Sequence, residues 1–224
     1  SILKQLKNKI IVSCQPNEGG PQDDTKIIIS MAKTAILGGC GGVRIEGAKN
    51  IREVKKNISI PVIGIIKNDL KNYKVRITPL LSDVEKIIKS GADIIAYDAT
   101  NRRRPFSTIE IVSKIKKSNR LAMADCSNLD DAKNAIFEGA DIIGTTLAGY
   151  VGKKVKDTDK PDLNLVKQFK KLNSFVMAEG RYNSPDLAKK AMLAGADAVT
   201  IGSAITRIDN ITSWFVKEIK NKKA

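Results

Sequence analysis

The sequence predicts one (β/α)8 barrel over residues 1–224, and three observations carry that expectation. Short β-rich apolar runs alternate with amphipathic stretches from end to end, the pattern of a parallel sheet buried on both faces. One motif recurs as Ser90-Gly91-Ala92-Asp93-Ile94-Ile95, Glu138-Gly139-Ala140-Asp141-Ile142-Ile143 and Ala194-Gly195-Ala196-Asp197-Ala198-Val199, with Gly39-Cys40-Gly41-Gly42-Val43 as a weaker fourth copy. Eight strand–helix units in 224 residues leave about 28 each, compact but workable for a fold that usually takes ~250. The rival, an open doubly wound sheet, normally carries G-x-G-x-x-G after its first strand. Here that strand runs into Cys14-Gln15-Pro16-Asn17.

In chain order, the first strand is read over residues 9–15 and the first helix over 24–37, which the glycines at 38 and 39 stop. A strand at 42–46 and a helix at 51–57 follow. The strand at 62–67 contains most of the longest apolar run, residues 60–66, and precedes a helix at 82–89. Strand 94–100 enters from the first full copy of the motif and leads to helix 108–117. Strand 121–127 shows an alternating stripe, Leu121, Met123, Asp125, before helix 129–137. Strand 142–147 enters from the second copy, and a polar loop at 151–160, a candidate lid, separates it from helix 163–171. Strand 175–181 repeats the alternation as Phe175, Met177, Glu179 and leads to helix 185–193. Strand 198–205 enters from the third copy, and a helix at 211–221 closes the chain. Within each copy Gly supplies the left-handed helix stop, Ala allows close packing and Asp can bond nearby backbone amides. These aspartates precede their strands, at the barrel bottom, so they read as structural.

Composition removes several chemistries. The chain has no histidine, which excludes Ser-His-Asp and Cys-His catalysis, histidine zinc sites and any histidine base. Three cysteines without C-x-x-C spacing fit neither a disulfide framework nor a four-cysteine metal site. The apolar run at 60–66 falls far short of the ~20 residues of a spanning helix, and residues 10–12 are too short for a signal-peptide core. No membrane association and a cytoplasmic location are therefore expected. The net charge is +15, yet the lysines are dispersed and aromatics make up 4%. That suits steering of a small anionic substrate better than nucleic-acid binding, which calls for clustered charge and aromatic platforms.

Chemistry in such a barrel sits at the C-terminal ends of the strands. The last inward positions read as Gln15, Arg44, Lys67, Asp98, Asp125, Thr145 and Glu179. Charged groups that end apolar inward stripes are hard to explain as packing. Lys67 and Glu179 end strands three and seven, four apart in a ring of eight, and so face each other across the mouth. A substrate between them has a proton donor or acceptor on either side, as stereochemical inversion by proton exchange requires. Lys67 can be a base only if burial or a cation such as Arg44 lowers its pKa from ~10.4. A plain salt bridge between the two is the alternative. Gly180 and Arg181 follow strand seven and Gly202 and Ser203 lie near the end of strand eight, where barrels of this kind often hold a phosphate group; Arg207 adds charge. The run Arg102-Arg103-Arg104 reads as an anion contact or a solvated loop, and Trp214 and Phe215 as a subunit contact or barrel packing.

The combination Ile11-Val12-Ser13-Cys14-Gln15, Pro61-Val62-Ile63-Gly64-Ile65-Ile66-Lys67, Ile77-Thr78-Pro79, Asp98-Ala99-Thr100, Ala124-Asp125-Cys126-Ser127, Gly144-Thr145-Thr146-Leu147-Ala148-Gly149-Tyr150, Ala178-Glu179-Gly180-Arg181 and Ile201-Gly202-Ser203-Ala204-Ile205-Thr206 resembles one family over nearly the whole chain, the N-acetylmannosamine-6-phosphate 2-epimerases of sialic acid catabolism. The resemblance implies conversion of N-acetylmannosamine 6-phosphate to N-acetylglucosamine 6-phosphate without metal or redox cofactor. It implies that Lys67 removes and returns the C2 proton and that Glu179 is its acid/base partner. It assigns Gln15, Arg44 and Asp125 to the sugar and acetamido groups, and Gly180, Arg181, Gly202 and Ser203 to the phosphate. It also implies a homodimer, with a role for Trp214 and Phe215. A Schiff-base aldolase using Lys67 as nucleophile and a non-catalytic anion- or RNA-binding protein are the readings from other classes.

Overall fold

A computed structural model describes residues 1–152 and 159–220. The elements run α1 (Ile2–Leu6), β1 (Lys9–Cys14), α2 (Thr25–Leu37), β2 (Gly42–Glu46), α3 (Ala48–Asn57), β3 (Val62–Ile65), α4 (Leu81–Lys89), β4 (Ile94–Asp98), α5 (Thr108–Lys117) and β5 (Leu121–Asp125). They continue with α6 (Leu129–Glu138), β6 (Ile142–Gly144), α7 (Leu163–Lys170), β7 (Phe175–Glu179), α8 (Pro185–Ala194), β8 (Ala198–Ile201), α9 (Ser203–Thr206) and α10 (Ile208–Lys220). The eight strands pair in sequence order and all in parallel, and β1 closes on β8. This is the expected (β/α)8 barrel.

Local chemistry places the helix ends. Asp24, Ser107, Asn128 and Ser184 each accept first-turn amide hydrogen bonds at their N-termini, and Ser107 with Glu110 forms a reciprocal capping box. Gly139 and Gly195 stop α6 and α8 at φ 101° and 111°, which a side chain would strain.

Side chains alternate between two apolar shells. Ile11, Ile63, Ile65, Ile94, Ala96, Met123, Ile142, Met177 and Ala198 fill the barrel interior, and Leu6 of α1 joins them. A larger shell between strands and helices includes Val12, Val43, Ile45, Ile95, Val176 and Val199. Five residues are too few to show helical periodicity, and α1 is absent from the sequence reading. Except for β2, which has the predicted bounds, the strands end earlier than predicted, and β4, β5 and β7 stop on the inward residues Asp98, Asp125 and Glu179. At the chain end the helix expected over 211–221 begins earlier, as α10, while α9 takes up the end of the strand expected over 198–205; residue 221 lies outside the described residues, as does most of the candidate lid at 151–160.

The motif aspartates staple the barrel bottom. Val62, Ala122 and Val176 each donate their amide to the carboxylate of Asp93, Asp141 and Asp197, at 2.8, 2.8 and 2.9 Å. The same aspartates return their own amides to the carbonyls of those three residues at 3.0, 2.9 and 2.8 Å. Lys55, Lys116 and Lys170 approach the three carboxylates at 2.8, 2.6 and 4.0 Å. Each staple thus locks one strand to its predecessor. The weaker fourth copy has Gly41 in the aspartate's place, where a Cβ would stand 2.5 Å from the Lys9 side chain.

No residue of α10 is buried; Phe215 and Ile219 are 67% and 79% exposed. Between α2 and α8 lies an apolar groove of about 1020 Å³, lined by residues such as Ile27, Met31, Ala188 and Met192.

Candidate active site

The C-terminal ends of the strands enclose a cavity of about 470 Å³. Its floor is Arg44, the middle residue of β2, which is 1% exposed. Its guanidinium donates to both carboxylate oxygens of Asp125 at 3.0 and 2.7 Å and to Glu179 Oε2 at 3.1 Å. Burial works against its charge, but the two carboxylates outweigh burial and raise its pKa. Thr146 Oγ1 donates to Asp125 Oδ1 at 2.6 Å. A cation this deep is held by carboxylates with charge-assisted, fork-like geometry.

Glu179 ends the inward stripe of β7 above Met177. Burial pushes its carboxyl up to about 7, and the neighbouring Asp125 adds to that; Arg44 and the Thr146 and Thr200 hydroxyls oppose it. It is a carboxyl that can carry a proton near neutrality.

Lys67 lies two residues beyond β3, in line with Ile63 and Ile65. Its main chain pairs antiparallel with Ile77, and the Asn68 amide bonds the Arg76 carbonyl at 3.0 Å. The segment after β3 therefore folds back as a hairpin and brings Lys74 and Arg76 to the cavity. Burial, followed by the positive charges of Arg207, Arg44 and Arg76, lowers the Lys67 ammonium to about 8, with Glu46 pulling the other way. The salt-bridge alternative for Lys67 and Glu179 is not what forms: Glu179 pairs with Arg44, and Lys67 makes no ion pair among the described residues.

The loops after β7 and β8 complete the wall. Gly180 has φ 103° and Arg181 φ 64°. This turn lets the Arg181 guanidinium reach the Ala148 carbonyl at 3.0 Å and stack 5.1 Å from the Tyr150 ring. Gly202 precedes α9, and Thr206 Oγ1 donates to the Ser13 carbonyl at 2.7 Å, tying α9 to β1. Arg207 Nε donates to the Gln15 carbonyl at 3.0 Å, and Gln15 Nε2 to Ser13 Oγ at 2.7 Å. Seven cationic side chains line the cavity (Arg44, Lys67, Lys74, Arg76, Arg102, Arg181, Arg207) against two carboxylates, Asp98 and Glu179. Such an excess inside a small enclosure selects a compact anion.

Of the residues predicted from sequence, Gln15, Arg44, Lys67, Glu179, Gly180, Arg181, Gly202 and Ser203 all line this cavity. Asp125 does not. It is fully buried beneath Arg44, with its oxygens occupied by Arg44 and Thr146. The inward residue beyond β6 is Thr146, not Thr145; Thr145 Oγ1 instead bridges the main chain of Glu179 at 2.9 and 3.0 Å. Arg102 and Arg104 are not a solvated run: both grip the buried Asp98, at 2.5 and 3.2 Å. Sequence reasoning missed Lys74, Arg76 and Thr200, which line the cavity, and Glu46, whose carboxylate accepts the Lys67 main-chain amide. The parity of β2 and β8 could have found Glu46 and Thr200, which lie two residues beyond Arg44 and Ala198.

Comparison with known proteins then decides the family. Residues 28–221 match the family model described as "Putative N-acetylmannosamine-6-phosphate epimerase". A Haemophilus influenzae protein named "Putative N-acetylmannosamine-6-phosphate 2-epimerase" is 46% identical over 222 residues, 99% of this chain and 96% of that protein. The chain belongs to this family. A Brucella melitensis "Bifunctional enzyme NanE/NanK" is 50% identical over 214 residues, 96% of this chain and 41% of that longer protein. A solved structure titled as the N-acetylmannosamine-6-phosphate 2-epimerase from Clostridium perfringens superposes with a TM-score of 0.93 at 35% identity, over 97% of this chain and 96% of that one. Membership fits what the cavity holds: two titratable groups poised near neutrality inside a cationic enclosure.

Proposed function

We propose that the chain converts N-acetylmannosamine 6-phosphate to N-acetylglucosamine 6-phosphate by removing and returning the proton at C2. The observation that carries this reading is the pair formed by a lysine lowered to about 8 and a carboxyl raised to about 7 in one cavity. A general base and acid work best when their pKa values lie near the working pH.

In the open-chain sugar, C2–H is acidified by the C1 aldehyde. The neutral Lys67 amine takes that proton; the C–H electron pair becomes the C1=C2 bond, and the aldehyde oxygen takes the charge. Protonated Glu179 gives its proton to that oxygen. After rotation of the planar intermediate the steps reverse: Glu179 recovers its proton, and the Lys67 ammonium protonates C2 on the opposite face. C2 is inverted with no change of oxidation state, so no electron carrier is required. Arg44 and Gln15 orient the sugar and its acetamido group. Gly180, Arg181, Gly202 and Ser203 hold the phosphate, and Arg207 adds positive charge there. Asp125, out of reach of the cavity, acts by holding Arg44.

The family and the relatives' names support the place of this reaction in sialic acid catabolism. We place it in the cytoplasm, a reading supported by three free thiols, two of them buried. The working unit is a homodimer, supported by the uncovered apolar face of α10 and the open groove between α2 and α8. Proton NMR of the protein with N-acetylmannosamine 6-phosphate in D2O tests the reaction. The gluco epimer carrying deuterium at C2 is expected. An unchanged spectrum from folded protein, or undiminished turnover by Lys67→Ala, overturns the assignment.

A further inference from the structure

Lys67 stands in the wall between two chambers. The first is the cavity already described. The second, about 590 Å³, lies behind it over the ends of β1–β3 and shares Gln15, Lys67, Arg76 and Arg207 with the first. Its remaining lining is mostly polar and includes Glu18, Asp23, Glu46, Asn50, Asn68 and Asp69. Glu46 ends β2 and lines this second chamber, not the first. Its carboxylate accepts the Lys67 main-chain amide at 3.2 Å, and its own carbonyl accepts from Asn50 Nδ2 at 3.0 Å. Glu18 and Asp69 are exposed at the rim, so the chamber runs from solvent to the rear of the lysine.

We propose that this second chamber is a proton port, through which Lys67 exchanges protons with solvent by way of Glu46 while the first chamber is occupied by substrate. The inference rests on the reading that Lys67 removes and returns the C2 proton. A sugar phosphate seated in the first chamber covers Lys67 on that side, and the ammonium formed by abstraction is open to water only from behind. Of the chamber's carboxylates, Glu46 is the one that bonds the Lys67 main chain. A proton passes from the ammonium to Glu46 or its water and out to solvent, and one from solvent returns to the amine. No charge or bond changes over the cycle. The other charges facing Lys67 are Arg44, Arg76 and Arg207, all cations, which favour release of its proton without accepting it. Glu46 also pulls the ammonium's pKa upward, as a carboxylate close to it should.

The port predicts where the C2 proton of the product comes from. Without exchange, an ammonium holding one substrate proton and two solvent deuterons returns protium in about one third of turnovers, because lysine carries three equivalent N–H positions. In D2O, with protiated substrate and analysis of the first product by NMR or mass spectrometry, the unmodified protein is expected to retain protium at C2 in well under about a tenth of product, against about one third for a sealed ammonium. Glu46→Gln keeps an oxygen for the Lys67 amide but removes the proton carrier, and its retention is expected to rise toward about one third. A variant that is merely slower holds its ammonium longer and retains less protium, the opposite direction. Retention near one third by the unmodified protein overturns the port, and that arm needs no substitution to fold. Equal retention by the folded Glu46→Gln protein and its parent also overturns it. Absence of any epimer from the unmodified protein sinks instead the functional reading beneath the proposal.

Discussion

Asp125→Asn is the perturbation whose cost the structure defines best. Asp125 is fully buried, and its carboxylate accepts two Arg44 hydrogen bonds at 3.0 and 2.7 Å and one from Thr146 at 2.6 Å. The amide removes the charge and turns one acceptor into a donor facing Arg44. Among the described residues Glu179, 3.1 Å away, is then the only carboxylate still paired with that guanidinium. Breaking a buried ion pair from one side costs about 3–5 kcal/mol, most of it the uncompensated charge. For a chain of this size each kcal/mol shifts Tm by ~2–4 °C, so a fall of roughly 6–20 °C is expected. Thermal unfolding followed by circular dichroism reads it directly. The double variant Arg44→Met with Asp125→Leu removes both charges, and it should recover most of the lost stability while remaining inactive. A folded Asp125→Asn protein melting within about 2 °C of its parent refutes the reasoning, since by the same conversion its ion pair then contributes under ~1 kcal/mol.

Other outcomes follow from the same geometry. Activity needs neutral Lys67 together with protonated Glu179, a minority state when the lysine titrates near about 8 and the carboxyl near about 7, so kcat/KM should rise with pH up to about 7 and fall beyond about 8. The result is a narrow bell centred between those values, and a flat profile from pH 6 to 9 contradicts the assigned roles. Gly64→Ala places a Cβ 2.7 Å from Ile87 Cγ2 and 2.9 Å from the Ala92 Cβ. Overpacking of this kind costs about 1–3 kcal/mol, which urea unfolding will register. Phe215→Glu puts a charge on the exposed apolar face of α10 and should give a monomer by light scattering, where the unmodified chain gives a dimer.

What could be read from the sequence, and what could not, follows from periodicity. Strands three, five and seven each show an apolar stripe that ends in a charge, and that parity places Lys67, Asp125 and Glu179 inside the barrel. Parity does not give depth. Arg44 is long enough to lie across the floor and cover Asp125, and only the folded structure reveals this. In β6 the phase itself is lost, because Ile142 and Ile143 are both apolar and both buried, so the pattern points to Thr145 where Thr146 is the inward residue. Lys74 and Arg76 reach the cavity through a hairpin held by the Lys67–Ile77 bridge, a contact with no periodic signal. A glutamate that closes a strand looks the same in sequence whether it faces solvent or, like Glu46, the back of a lysine.

The three aspartate staples also bear on the order in which the ring is assembled. They join residues 31, 19 and 21 apart in sequence. The seam that closes the ring pairs Lys9 of β1 with Ala198 of β8; among the described residues it has no such carboxylate, and the Asn8 amide bonds the Asp197 carbonyl there at 2.7 Å. Loop-closure entropy grows with the logarithm of the distance along the chain, so bringing that seam together costs about 2 kcal/mol more than forming a staple. On chain entropy alone the stapled strand pairs close early and locally, and the circle is joined last. Ser13, Gln15, Gly202 and Arg207 all lie along that final join. The meeting of Arg207 with Gln15 is therefore a part of the cavity that does not exist until the whole barrel does.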